Sequence, residues 1–318
     1  MLSLDEIESS ARLVHTAMPP TAQYAWPLLA RRAGCEVWVK HENHTPTGAF
    51  KVRGGVVYMD RLKRNRPETR GVVSATRGNH GQSIALAAAR NGLSATIVVP
   101  HGNSVEKNAA MRAFGAELIE AGHDFDAARE VAMRLAGEGG LSMVPSFHRD
   151  LVAGVASYAL ELFHGAAALD TVYVPIGLGS GICGTIAVRD ALGLATRIVG
   201  VVSAEAPAYA LSFAAGKVVA TNSADTMADG MAVRGPDAEA LDVILKGAER
   251  IVQVSDAEIG AAMRAYYEDT HQLAEGAGAA ALAALLQERD RFRGKRVGLI
   301  LSGGNVDRPV YRRILEET

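Results

Sequence analysis

The chain has 318 residues, with 33 Lys plus Arg against 35 Asp plus Glu, and it carries no basic block of the kind that tracks a phosphate backbone, so nucleic acid is excluded as an expected partner. Its two cysteines, Cys35 and Cys183, lack metal-ligand spacing, which argues against a disulfide framework or zinc site and for a reducing, cytoplasmic setting. The acidic start Met1-Leu-Ser-Leu-Asp-Glu-Ile-Glu, and the absence of a run of about 18 apolar residues, predict neither a signal peptide nor a membrane span.

In chain order, the pattern predicts strands over 36–40 and 71–75, a helix over 80–91, a strand over 95–100, a helix over 105–114, a strand over 117–120 and helices over 124–138 and 151–164. A strand over 171–175, a helix over 182–192, a strand over 198–203, helices over 255–267 and 275–288 and a strand over 296–302 follow. Ser255 and Glu258 form a capping box, each able to take up an orphaned backbone N–H at a helix start. Most of these strands are apolar throughout, as strands covered on both faces must be. The expected class is therefore α/β, with open, twisted, mostly parallel sheets flanked by helices. No low-complexity linker divides the chain, and the least regular stretches fall around 42–54 and 140–150.

Four segments carry the chemistry. In Pro46-Thr-Gly-Ala-Phe-Lys51-Val-Arg-Gly-Gly55, one lysine stands between a glycine turn and a glycine pair, where backbone can approach a ligand closely. A lysine becomes a nucleophile toward an aldehyde when its ammonium is desolvated or has a cationic neighbour, and Arg53 is a candidate for that neighbour. Taken alone, Lys51 reads more readily as a solvated surface side chain, and the surrounding motifs have to overturn that reading. Ser74-Ala-Thr-Arg-Gly-Asn79-His-Gly-Gln82 joins a strand to a helix at the sheet edge where ligands collect, with Asn79 either a ligand contact or a helix N-cap. Gly177-Leu-Gly179-Ser-Gly181 follows a strand and opens a helix, so its backbone N–H groups can wrap a phosphate, although a tight turn also needs glycine. Ser302, at the end of the last strand, offers a hydroxyl to a pyridine nitrogen or belongs to a simple turn.

Together, Gly48-Ala-Phe-Lys51, Arg77-Gly-Asn79-His-Gly-Gln82, the glycine loop, Ala228-Asp-Gly230, Glu275-Gly-Ala-Gly278 and Ser302-Gly-Gly-Asn305 resemble the fold-type II pyridoxal phosphate (PLP) enzymes, a tryptophan synthase β-like fold. The nearest branch is similar to the serine/threonine dehydratases (threonine ammonia-lyases) and serine racemases. The resemblance implies Lys51 as Schiff-base lysine and catalytic proton carrier, with Phe50 beside it. It implies Asn79 at the PLP 3-hydroxyl, Gly177, Leu178, Gly179, Ser180 and Gly181 around the phosphate, Gly230 and Glu275 beside the ring, and Ser302 at its nitrogen. Ser74, Ala75, Thr76, Arg77, Gly78 and His80 would hold a small amino-acid substrate. It further implies a large domain of residues 1–46 and 146–318, a small domain of 47–145 inserted into it, and a homodimer. The expected reaction is dehydration of a β-hydroxy amino acid to a 2-keto acid and ammonia.

Two positions depart from the family pattern. Arg77 replaces a residue that is small in relatives and, in racemases, a serine acting on the far face. An always-charged guanidinium cannot do that work, which favours elimination; pointing inward it suits a β-carboxylate, as in 3-hydroxyaspartate, or the ring of 3-phenylserine, and pointing outward it is only a surface charge. Glu205 matches one carboxylate of the racemase cation site, but Leu211 stands where a second is expected, so no divalent metal is predicted and at most a monovalent cation remains. No regulatory domain is expected beyond Thr318. Racemisation and β-replacement are the alternative PLP reactions. A more distant one is an NAD enzyme, because Gly179-Ser-Gly181-Ile-Cys-Gly184 with Glu205 about 20 residues later also fits the dinucleotide fingerprint.

Overall fold

The alternation of strand and helix builds two sheets, seen in a computed structural model that describes residues 2–317, the side chain of Asp126 apart. One sheet runs β1 (Gln23–Ala25), β2 (Glu36–His41), β10 (Arg296–Leu301), β7 (Thr171–Pro175), β8 (Arg197–Ser203) and β9 (Arg250–Val254). Only the β1–β2 pair in it is antiparallel. The other runs β5 (Glu117–Glu120), β4 (Ser94–Val99), β3 (Gly71–Ala75) and β6 (Ser142–Met143), parallel throughout. The chain therefore lays down β1 and β2, builds the whole second sheet from residues 71–143, and then returns to finish the first.

The helices are, in chain order, α1 (Leu4–His15), α2 (Pro27–Ala33), α3 (Lys51–Asn65), α4 (Asn79–Arg90), α5 (Val105–Ala113), α6 (Phe125–Gly139), α7 (Arg149–Gly165), α8 (Ser180–Ala191), α9 (Ala208–Ala215), α10 (Ala238–Gly247), α11 (Asp256–Thr270), α12 (Gly276–Gln287) and α13 (Arg308–Glu316). Every element expected from the sequence is present, with ends within three residues of the expected ones. The Ser255 capping box forms, with Glu258 N–H on the Ser255 hydroxyl at 3.3 Å and Ser255 N–H on the Glu258 carboxylate at 2.8 Å. No described helix is long and apolar enough to cross a membrane. The central strands β3 and β7 and the helices α7, α8 and α12 are almost wholly buried, which is why their sequences lack a polar stripe.

The one unforeseen element that matters for the site is α3, which begins at Lys51 inside the stretch expected to be irregular. Its Gly54 and Gly55 each cost a helix about 1 kcal/mol relative to alanine, which hides it from a propensity reading. Tertiary packing reverses that preference. A Cβ on Gly54 would stand 2.8 Å from the Leu151 carbonyl of α7, and one on Gly55 would collide with the Ser83 hydroxyl of α4. The pair thus lets three helices meet backbone to backbone, and it serves helix packing where the sequence suggested an approaching ligand.

Candidate active site

The C-terminal ends of β3, β7 and β10 converge on one cleft of about 1060 Å³, the edge where α/β sheets collect ligands. Lys51, the first residue of α3, opens into it. The segment before it is tied to the last strand: Phe50 N–H donates to the Ser302 carbonyl at 3.0 Å, and Ala49 bridges Gly303. Lys51 Nζ lies 5.2 Å from the centre of the Phe50 ring, and that ring stands edge-on to Tyr158. Burial pulls the Lys51 amine down to about 8, against the partly offsetting charge of Glu275. Arg53 has no part in this, which corrects the expectation of a cationic neighbour. Its guanidinium is fully buried, bonded to Glu42 at 2.7 Å and Glu161 at 2.6 Å, and absent from the cleft.

Gly177, Leu178, Gly179, Ser180 and Gly181 all line the cleft. Gly179 caps α8 in the left-handed region at φ 101°, which an L side chain rarely adopts. The first N–H groups of α8 have no partner inside the helix and carry the positive end of its dipole. Two tyrosines brace the loop, Tyr209 donating to the Leu178 carbonyl at 3.0 Å and Tyr158 to that of Gly181 at 2.8 Å. A Cβ on Gly177 would strike the Gly230 carbonyl oxygen, a backbone atom that cannot swing aside as a side chain could. Gly177→Ala is therefore expected to weaken cofactor binding about tenfold or more, the effect of overpacking a fitted site, as measured by cofactor titration of the absorbance.

Asn79 begins α4, and Gly78 is the N-cap, so the capping alternative for Asn79 falls away. Its Oδ1 accepts from Asn305 Nδ2 at 2.8 Å and its Nδ2 donates to Glu275 Oε1 at 2.7 Å. Asn305 is held in turn by the Thr47 carbonyl at 2.7 Å. Burial holds the Glu275 carboxyl well above the ordinary carboxylate range, against the opposing charge of Lys107. Its Oε2 has no hydrogen-bond partner among the described residues. Lys107, from α5, stands 3.6 Å from that oxygen and pairs with Asp229 at 2.6 Å, next to Gly230 on the facing wall.

Ala75, Thr76, Arg77, Gly78 and His80 line the cleft as expected of substrate contacts, and Ser302 lies at its floor, 5% exposed. Ser74 does not reach it, because its hydroxyl donates to the Val144 carbonyl at 3.1 Å. Arg77 is exposed at the rim, near Asp124, whose carboxyl is lowered chiefly by the hydrogen bond from the Ala127 N–H and least by Arg77. Glu205 lies outside the cleft and accepts from the Ser203 hydroxyl at 2.8 Å, and the described residues hold no cluster of carboxylates, histidines or cysteines able to bind a metal. Lys107, Asp229 and Asn305 are the site residues that sequence reasoning passed over. Asn305 and Asp229 sat inside quoted motifs, whereas Lys107 meets Asp229 across 122 residues of chain and left no local signal.

These groups fit PLP: an amine with a depressed pKa, a glycine cradle that a single Cβ would fill, and a buried carboxylate oxygen without a partner. Comparison with known proteins agrees. Residues 15–303 match the family described as pyridoxal-phosphate dependent enzyme. An L-threonine ammonia-lyase of Thermotoga maritima is 32% identical over all 318 residues, covering 79% of that relative. An L-threo-3-hydroxyaspartate ammonia-lyase of a Pseudomonas species is 33% identical over 91% of this chain and 90% of its own. The solved structure of maize serine racemase superposes with a TM-score of 0.92 at 27% identity, covering 98% of this chain and 96% of that one. The chain therefore belongs to the fold-type II family of pyridoxal-phosphate dependent enzymes.

Proposed function

We propose that the protein is an ammonia-lyase that removes the α-proton and β-hydroxyl of a small amino acid of the serine or threonine type, yielding a 2-keto acid and ammonia. The observation that carries this reading is Lys51, an amine brought toward neutrality by burial at the point where the glycine loop, Asn79 and Ser302 meet. In this reading residues 177–181 take the cofactor phosphate on backbone N–H groups, Asn79 meets the ring 3-hydroxyl, and Ser302 meets the ring nitrogen. Gly230 and Glu275 lie beside the ring. When bound, PLP supplies an aldehyde that condenses with amines and a conjugated ring that takes up the electron pair of a broken C–H bond.

The chain's own residues do the rest. Lys51 Nζ accepts the α-proton, a task suited to an amine whose pKa lies near the working pH. Asn305 holds the Asn79 carbonyl oxygen and Glu275 takes one of its N–H groups, so the amide is fixed in orientation with its second N–H left to donate. The first N–H groups of α4, with Thr76 and Gly78, hold the substrate carboxylate. Arg77 supports elimination over racemisation, because a guanidinium cannot exchange a proton at the far face. A second substrate, 3-hydroxyaspartate, is favoured by the same residue, whose planar fork stands on the cleft rim and matches a β-carboxylate. A homodimer, a small lobe of residues 47–145, a cytoplasmic setting and at most a monovalent cation complete the proposal.

The test is release of 2-keto acid and ammonia from L-serine, L-threonine, threo-3-hydroxyaspartate and threo-3-phenylserine, in the native protein and in Arg77→Ala. Turnover of serine or threonine is expected, with turnover of hydroxyaspartate falling about tenfold or more in the variant as a charge-assisted pair is lost. No keto acid from any of the four, in protein that has taken up cofactor, overturns the assignment in favour of racemisation or β-replacement.

A further inference from the structure

Lys107 belongs to α5, yet its ammonium is carried across the cleft to two carboxylates of the facing wall. Its stem passes over Gly78, the N-cap of α4, so closely that a Cβ there would stand 2.5 Å from Lys107 Cδ. Nζ donates to Asp229 Oδ2 at 2.6 Å. It stands 3.6 Å from Glu275 Oε2, the oxygen that has no hydrogen-bond partner among the described residues. The lysine side chain is only 7% exposed, so solvent screens these charges little. Burial lowers the ammonium, but the charges of Glu275 and then Asp229 outweigh it, and Lys107 is a cation in the cleft. Burial likewise drives Glu275 toward the neutral acid, and the charge of Lys107 is the largest influence opposing it.

Hydrogen-bond chemistry gives that anion a task. An ionised carboxylate only accepts, whereas a neutral carboxyl carries a donor as well. As an anion, Glu275 can meet Asn79 only through an amide N–H, which is the bond present at 2.7 Å, and the carbonyl end of the same amide is turned to Asn305 at 2.8 Å. A neutral Glu275 could bond either end of the amide, and the second N–H of Asn79 would lose its fixed direction. Asp229, Lys107, Glu275, Asn79 and Asn305 thus form one polar chain in which each member orients the next. Resting on the reading that puts Asn79 at the cofactor 3-hydroxyl, we propose that Lys107 is a positioning residue: paired with Asp229 and set against Glu275, it keeps Asn79 turned with an N–H toward the ring 3-oxygen. It works through Glu275 and requires no contact with the reacting atoms.

The experiment reads cofactor affinity in place of turnover. Full-length protein freed of cofactor is titrated, by absorbance, with PLP and with 3-deoxypyridoxal phosphate, which lacks the ring oxygen that Asn79 would meet. Lys107→Met keeps much of the stem that packs on Gly78 and removes the charge, whereas Lys107→Arg keeps a charge. Lys107→Gln, neutral but able to hydrogen-bond Asp229, carries the same expectation as methionine and serves if that variant does not fold, which thermal melting reports. The ratio of the analogue's Kd to that of PLP is expected to fall about tenfold in the neutral variants, the effect of disturbing one buried hydrogen bond, with partial recovery in Lys107→Arg. A merely structural role would weaken both ligands alike and leave the ratio where it is. An unchanged ratio therefore overturns the role of Lys107 and leaves the ammonia-lyase reading standing. Equal affinity of the native protein for the two ligands overturns the placement of Asn79 and the role of Lys107 together, and native protein that takes up neither overturns the reading of the site.

Discussion

Lys51→Ala is expected to lower keto-acid release by at least about 10⁴-fold, beyond the usual reach of one positioned proton acceptor, because the same amine both anchors the cofactor and takes the α-proton. The protein should remain folded. Lys51 sits at the first position of α3, where its side chain makes no ion pair among the described residues. Alanine also favours the helix. Keto-acid assay, thermal melting and the visible absorbance of bound cofactor after dialysis together separate the outcomes. A variant that melts like the native protein, loses its cofactor on dialysis and shows no turnover supports the assignment. Retained turnover would move the base elsewhere in the cleft, where Glu275, Lys107 and Asp229 form a group of interacting titratable side chains.

Arg53→Met is expected to cost about 3–5 kcal/mol of stability, the effect of removing one partner from a buried ion network. The guanidinium is fully buried and bonded to Glu42, Glu161, Ser157 and Thr21, while Lys40 and His15 also meet Glu161. Methionine fills much of the volume but leaves the Glu42 carboxylate, itself fully buried, facing only the Thr21 hydroxyl. A fall in Tm of roughly 5–15 °C should follow in the variant. Acid sensitivity should change with it. Burial raises the Glu161 carboxyl, but the hydrogen bond and charge of Arg53, then the charge of Lys40, outweigh it and hold the group down at about 2 from an ordinary 4.5. A carboxyl lowered in this way stabilises the fold fully above its unfolded pKa and loses that contribution as pH falls toward the folded one. Stability of the native protein should therefore drop between about pH 4.5 and 2, and that limb should flatten in Arg53→Met, as urea titrations at several pH values would show. An unchanged Tm would mean that the network contributes little beyond its own desolvation.

The two replacements touch residues only two positions apart on α3, about 200° around the helix and so on opposite faces, and they read different properties. Lys51 points into the cleft and Arg53 into the α3–α7 interface, so the ion network seats the helix whose first residue is the proposed proton acceptor. That geometry explains why a charge two residues from the reactive amine leaves its pKa to burial and Glu275.

Local pattern was enough for the class of fold. Runs such as residues 171–175 and 296–301 are apolar throughout because both faces of a parallel strand are covered, and that requirement is written in every residue of the run. The glycine loop, Asn79 and Ser302 were legible for a related reason. Each lies just past a strand or at a helix start, where backbone geometry restricts the residue types tolerated and so leaves a motif. Lys51 itself, the cofactor and the reaction class followed once those motifs were taken together.

What only the tertiary structure decided are the relations between segments distant in sequence. The helix beginning at Lys51 exists because Gly54, Gly55 and Gly154 admit neighbouring backbones, a gain that appears only once α4 and α7 are in place. Arg53 could be assigned to Glu42 and Glu161, rather than to Lys51, only when α7 was seen lying against α3. Lys107 meets Asp229 because two sheets built from separate stretches of chain close on one cleft. Periodicity and turn chemistry act over a few residues and are therefore encoded locally, whereas burial, pairing and the pKa shifts they cause depend on what folds against each group, and that is settled only in three dimensions.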